Sequence, residues 1–137
     1  MLTQTLINTL KNDSTLLDLL GVAQSNKAPI RTHFLSIPKA EKFIVVSYTY
    51  GETNETGYEF GTITVEVYVK ATVRNPITVL DNIVSRVLAI LDLKGSQLQD
   101  EFTSKVYIVR KTDFTHLYDN KNHFNIGRID FLFYCEQ

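Results

Sequence analysis

The chain has 137 residues, 44% of them hydrophobic and 21% charged, with a formal net charge of −1. That length suits a single domain able to bury about two-thirds of its unfolded surface, and the composition excludes an intrinsically disordered chain. With no basic excess, the counterion release that drives nucleic-acid binding is largely missing, so sequence-specific DNA or RNA recognition is not expected.

The N-terminus MLTQTLINTLKNDS has no basic stretch followed by a continuous apolar run, so it is read as structure rather than a signal peptide. Leu2, Leu6, Ile7 and Leu10 have the spacing of an amphipathic helix. Asn12-Asp13-Ser14 interrupts that pattern with residues that favour helix caps. A second, short helix through Leu16, Leu17, Leu19 and Leu20 then stops at Gly21. No stretch approaches the ~20 apolar residues of a membrane span.

After a loop from Val22 to Pro29, IRTHFL (30–35) predicts a short strand, and SIPKAEK is a connection punctuated by Pro38. FIVVSYTY (43–50) predicts a strand with apolar residues of both parities. GETNETGY (51–58) is dense in turn formers, so it should link that strand to the next as an antiparallel hairpin. In YEFGTITVEVYVK (58–70) Ile63, Val65, Val67 and Val69 alternate strictly and define a core-facing side. The other parity carries Tyr58, Phe60 and Tyr68, and Tyr48 and Tyr50 are expected to share a face on the preceding strand.

Asn75 and Pro76 predict a helix start, with Asn75 as a side-chain N-cap and Pro76 in the first turn. The helix PITVLDNIVSRVLAIL places Leu80, Ile83, Val84, Val87, Leu88 and Leu91 on one stripe, with Asp81, Asn82, Ser85, Arg86 and Asp92 opposite. SKVYIVRK (104–111) and GRIDFLFY (127–134) predict the last two strands, joined by a long polar connection, TDFTHLYDNKNHFN. The expected fold class is α+β: one antiparallel or mixed β-sheet, a long β-hairpin, and an N-terminal helix and one long helix packed on one face.

Candidate chemistry is sparse. Asp113, His116, Asp119 and His123 are the residues closest to a ligand cluster, but their spacing matches no metal motif, so they are read as a solvated loop and no metal is expected. Cys135 is a lone thiol near the end of the chain with no helix N-terminus to activate it, and it is read as a small strand hydrophobe in a reducing environment. No nucleophile elbow, P-loop or dinucleotide fingerprint occurs, and neither a cofactor nor an enzymatic activity is expected. The tyrosines carry more information, because amphipathic rings are enriched at protein–protein contacts. They also fit half-exposed strands for intrinsic reasons.

Taken as landmarks, LINTLKNDSTLLDLLG, APIRTHFLSIPKAEKFIVVSY, TITVEVYVKATVRNPITVLDNIVSRVLAIL and GRIDFLFY together resemble the tail-completion, or tail-terminator, proteins of long-tailed phages with non-contractile tails. The similarity spans nearly the whole chain (1–137, one tail-completion-like domain) and lies in the order and hydrophobic pattern of the elements. It departs at Ala40-Glu41-Lys42-Phe43, where the pattern has a proline before an aromatic.

The resemblance implies a virion structural protein, assembled in the host bacterial cytoplasm, that forms a ring, expected to be a hexamer, on the head-proximal end of the tail tube. Its implied partners are other copies of itself, the tail tube protein and the head or neck connector. DNA would pass through the lumen without sequence-specific contact, and no membrane is involved. The residues expected to make protein contacts are Glu52, Thr53, Asn54, Glu55 and Thr56 in the hairpin loop, with Tyr48, Tyr50, Tyr58, Phe60, Tyr68 and Tyr134 on the strands. The competing readings are a neck or head-completion protein, a small-molecule-binding α+β regulatory domain, and a hotdog-like thioesterase. The last finds only Asp81 as a carboxylate within 77–91, on the polar side of the helix.

Overall fold

In the computed structural model, residues 2–33, 39–53, 58–92, 98–99 and 105–136 are described. Helices α1 (Leu2–Lys11) and α2 (Ser14–Leu20) and a single 3₁₀ turn (Ser25–Lys27) are followed by strands β1 (Ile30–Arg31), β2 (Lys42–Thr53) and β3 (Tyr58–Lys70). Helix α3 (Pro76–Leu91) comes next, then β4 (Leu98–Gln99), β5 (Lys105–Asp119) and β6 (Phe124–Glu136). The strands form one six-stranded sheet in the order β1-β2-β3-β6-β5-β4. It is mixed, because β1 runs parallel to β2 while the other pairs are antiparallel. The α+β expectation holds, with the sheet of the mixed kind.

The alternation in β3 sets the layers. Ile63, Val65, Val67 and Val69 are fully buried, as are their partners Ile44 and Val46 on β2 and Ile129 and Phe131 on β6. All of them join one core with Leu6, Ile7 and Leu10 of α1, Leu16 and Leu20 of α2, and Leu80, Ile83, Val84, Val87 and Leu91 of α3. Each such aliphatic contributes about 1.5–3 kcal/mol relative to exposure, and that burial holds all three α-helices on one side of the sheet. The predicted stripe of α3 and its bounds match the observed helix.

The break between α1 and α2 is built by Asp13. Its Oδ1 accepts the Leu16 N–H at 2.8 Å, and Arg86 of α3 donates Nε to Oδ1 at 3.0 Å and Nη2 to Oδ2 at 2.6 Å. One carboxylate thus caps α2 and ties it to α3 in the two-pronged geometry that guanidinium favours. At the other end of α2, Gly21 has φ +76°. The N–H groups of Gly21 and Val22 reach the carbonyls of Asp18 and Leu17, both at 3.0 Å, closing a Schellman motif.

Several elements depart from the sequence reading. The strand beginning at Ile30 is only two residues long, and Phe34 and Leu35, which were expected to continue it, lie outside the described residues. Asn75 occupies the N-cap position of α3 but in a left-handed conformation (φ 52°), with no side-chain cap bond; its carbonyl accepts the Val79 N–H at 3.0 Å. Asparagine tolerates that backbone well, and this is its contribution here. The hairpin loop is shorter than expected, because Gly51–Thr53 still pair with Gly61–Glu59.

The largest correction concerns 112–125. In place of a polar connection, β5 continues to Asp119, a four-residue turn follows, and β6 begins at Phe124. Asp119 organises that turn. Its Oδ1 accepts the N–H groups of Lys121 (2.9 Å) and Asn122 (3.2 Å), and Oδ2 accepts Asn122 Nδ2 at 3.1 Å. His123 supplies a left-handed residue (φ 60°), and its carbonyl accepts the Ala71 N–H at 2.8 Å, fastening the turn to the end of β3.

The Asp13–Arg86 pair makes stability depend on pH. Arg86, and then the backbone N–H groups, hold the Asp13 carboxyl below its ordinary value of 3.8. A lowered folded-state pKa stabilises the fold above the unfolded-state value, and that contribution is lost as pH falls through the folded one. Asp13→Ala should cost about 1–2 kcal/mol at neutral pH through loss of the cap. Asp13→Asn, which keeps a capping oxygen, should cost less. In urea titrations the gap between wild type and Asp13→Asn should close well below pH 3.8.

Candidate assembly surfaces

The face of the sheet turned away from the helices is divided along its length. At one end Phe43, Phe124 and Ile126 are buried with Val45 and Tyr68 against them, forming a second, small apolar cluster. Phe43 and Tyr68 stack at 4.5 Å between centroids with 9° between planes, and Phe124 meets both edge-on. The Tyr68 ring is therefore half-buried within its own chain. Burial, with the Glu66 and Asp119 charges, pushes its hydroxyl pKa above the ordinary 10.0, so the phenol stays neutral at physiological pH.

Farther along, the same face is polar. Buried Thr64 donates to Asp130 Oδ1 at 2.7 Å, Arg128 Nε lies 3.5 Å from that carboxylate oxygen, and Ser47 Oγ donates to the Thr64 carbonyl at 3.4 Å. Leu132 stands exposed beside this network. No helix contributes to the small cluster on this side, so among the described residues the helical layer covers only the opposite face.

The expected contact residues fall at one end of the β2–β3–β6 ladder. Glu52 pairs with Phe60 and Phe60 with Tyr134, placing the three backbones on one rung, and Tyr58 pairs with Glu136. Thr53 is the last residue of β2, and Asn54, Glu55 and Thr56 lie outside the described residues. Tyr48 and Tyr50 do not share a parity. A bulge between them leaves Tyr48 opposite Ile63 and Tyr50 opposite Thr62, because one extra residue reverses the alternation. Tyr68 lies far from this end, in the aromatic cluster.

The sequence reading missed the β5 arm. Residues 111–118 are exposed, and Phe114, Leu117 and Tyr118 present large apolar groups, the last 47% exposed. Among the described residues β4 pairs with β5 only at Lys105 and Val106, so from Ile108 to Asp119 the outer edge of β5 has no described strand beside it. Thr, Phe and Tyr at 112–118 are β-formers, and Asp-Asn-Lys-Asn is turn chemistry; both signals were present inside the supposed loop.

Asp113 and His116 lie on this strand, and Asp119 serves the turn. His123 lies across that turn, with Nδ1 3.4 Å from the Tyr118 hydroxyl. No group of three or more potential metal ligands converges among the described residues.

Gly127 fixes how α3 sits above the arm. A Cβ there would meet Val84 Cγ2 at 2.8 Å, and Leu80 Cδ1 and Phe114 Cε2 at 3.4 Å each. At the far edge of the sheet, an open cleft of about 390 Å³ is lined by Leu20, Val22, Pro29 and Ala40, with Lys27 and Lys42 at its rim. Lys42 Nζ donates to the Leu19 carbonyl at 3.0 Å, bracing β2 against α2.

No family model matches the sequence, and no curated protein matches it. Solved structures do. Among 18 matching chains is one described as "Virion of native gene transfer agent (GTA) particle". The two superpose with a TM-score of 0.78 at 14% identity, over 99% of this chain and 95% of that one. The fold is shared from end to end. At that identity, the likeness is one of fold.

The close approach at Gly127 predicts a non-additive pair. Gly127→Ala should cost about 1–3 kcal/mol through overpacking against Val84. In the Gly127→Ala/Val84→Ala double variant the two losses should sum to less than their separate values. Denaturant unfolding of the four proteins in the cycle measures this, and strict additivity would contradict the packing described.

Proposed function

We propose that the protein is a structural component of a phage-type virion, a tail-terminator subunit that assembles as a ring on the head-proximal end of the tail tube and joins tail to head. The observation that carries this reading is the end-to-end match in fold to a chain of a virion particle, in line with the sequence resemblance to tail-completion proteins. Two further features support it. The described surface offers extended faces, a β5 edge with no described strand beside it, and an exposed apolar arm. The near-zero net charge also suits a lumen through which DNA must slide without adhering.

In this reading the chain works through contacts with three partners: neighbouring copies of itself in a hexameric ring, the tube below and the neck connector above. The end of the β2–β3–β6 ladder bearing Glu52, Thr53, Tyr58, Phe60 and Tyr134, with the loop 54–56 and the nearby Tyr48 and Tyr50, is assigned to those contacts. Tyr68 contributes through the aromatic cluster it completes. Because Glu52 and Thr53 belong to the ladder, the informative deletion is Asn54–Thr56 alone. It should leave a folded protein that fails to join tails to heads, and normal infectious particles from it would refute the assignment.

The role itself is tested by negative-stain microscopy of particles produced without this protein. Overlong or unjoined tails beside filled heads are expected. Empty, leaking heads with tails of normal length would overturn the tail-terminator reading in favour of a head-completion role.

A further inference from the structure

We infer that Asp92 and Asp113 guard the outer edge of β5, holding backbone N–H groups that a strand from a second copy of the chain would otherwise bond. The inference goes beyond the ring reading and does not depend on it.

The ladder shows which backbone groups of β5 face outward. The Ala71 N–H reaches the His123 carbonyl beside the Lys70–Phe124 pair, the pattern of a pair that exchanges no bonds of its own. By alternation, Asn125, Gly127, Ile129 and Phe131 direct their N–H and C=O groups to β3. Their opposite numbers on β5, Tyr118, His116, Phe114 and Lys111, therefore turn theirs away from β6, toward the outer edge.

Two of these N–H groups are occupied from within the chain. The Lys111 N–H donates to Asp92 Oδ1 at 3.0 Å, and the Phe114 N–H donates to Asp113 Oδ1 at 2.9 Å. Asp92 closes α3, with its own N–H on the Leu88 carbonyl at 2.8 Å, so the end of the helix carries that carboxylate to the strand edge. The register adds a second obstacle. A bulge at Thr112, whose Oγ1 donates to the Asp130 carbonyl at 3.2 Å, leaves Lys111 and Phe114 three residues apart. A regular strand offers its bonding groups at every second residue, so it cannot match both positions.

These devices lie where an edge is most prone to pairing. Residues 112–118 are rich in β-formers, expose Phe114, Leu117 and Tyr118, and include no lysine, arginine or proline. An edge of that kind is a template for another chain. With the caps in place, an incoming strand must first displace a carboxylate from each N–H it would bond. The arm can then expose its side chains without its backbone joining copies edge to edge.

Hydrogen exchange and sedimentation test this together. Asp92→Ala should speed exchange of the Lys111 amide by roughly tenfold or more, and Asp113→Ala that of the Phe114 amide, as loss of a bond to a charged acceptor implies. Asp92→Asn and Asp113→Asn keep an acceptor oxygen and should retain most of the protection. In velocity sedimentation, Asp92→Ala/Asp113→Ala should form concentration-dependent species larger than any of the wild type, while the double Asn variant sediments as wild type. In those larger species the His116 and Tyr118 amides should gain protection, because a strand has joined the edge. Circular dichroism verifies the fold. Asp113 is exposed, so Asp113→Ala alone carries the same sedimentation test if the double variant is unfolded.

Unchanged exchange at Lys111 and Phe114 in the Ala variants would overturn the guarding role. So would sedimentation of the folded Ala variants as wild type with those amides unprotected. Larger species in which His116 and Tyr118 gain no protection would overturn it too, since association would then run through another surface.

Discussion

Helix α3 lies close against the sheet because position 127 carries no side chain. Val84 occupies the space a Cβ would take, Leu80 and Phe114 close around it, and the helix settles where its whole aliphatic stripe meets the rungs of β3 and β6. The rest of the layering follows from that seating. With α3 in place, Arg86 meets Asp13, and that one carboxylate both caps α2 and fixes the two helices to each other. The N-terminal helices then cover β1 and β2, and the core on this side is complete.

Covering only one face leaves the other to be stabilised by its own side chains. Two solutions operate there. Near the β5–β6 turn, three aromatic rings pack on one another and on Ile126. In the middle, Thr64, Asp130 and Arg128 satisfy one another across strands. A face so provided for can remain beside solvent or a lumen without exposing a continuous apolar sheet. Among the described residues the exposed large apolar groups are Phe114, Leu117 and Tyr118 on the β5 arm, Leu132 on β6 and Ile77 at the start of α3.

Legibility in the sequence followed the strength of local patterns. The strict alternation Ile63–Val69 and the stripe Leu80–Leu91 were readable because burial imposes periods of 2 and 3.6 on them, and Asp13 and Gly21 announced a cap and a stop by residue type alone. The β5 arm was not read, because a strand exposed on both faces has no hydrophobic period; Asp113, His116 and Asp119 among its β-formers made it resemble a loop. The bulge between Tyr48 and Tyr50 was equally hidden, since a one-residue insertion leaves composition unchanged and reverses parity. The Arg86–Asp13 pair was out of reach for a different reason: it joins residues 73 positions apart, and only the packed helices bring them together. The expected contact residues were chosen by residue type, and type does not distinguish Tyr68, stacked within its own chain, from Tyr118, which is half exposed.

A cryo-electron reconstruction of the junction between head and tail in intact particles tests the central claim most directly. The account predicts a closed ring of this chain at the head-proximal end of the tail tube, with the helix-free face of each sheet uncovered by any helix of its own subunit. A single copy at the junction, or a ring found at the distal tip or within the head, would contradict it.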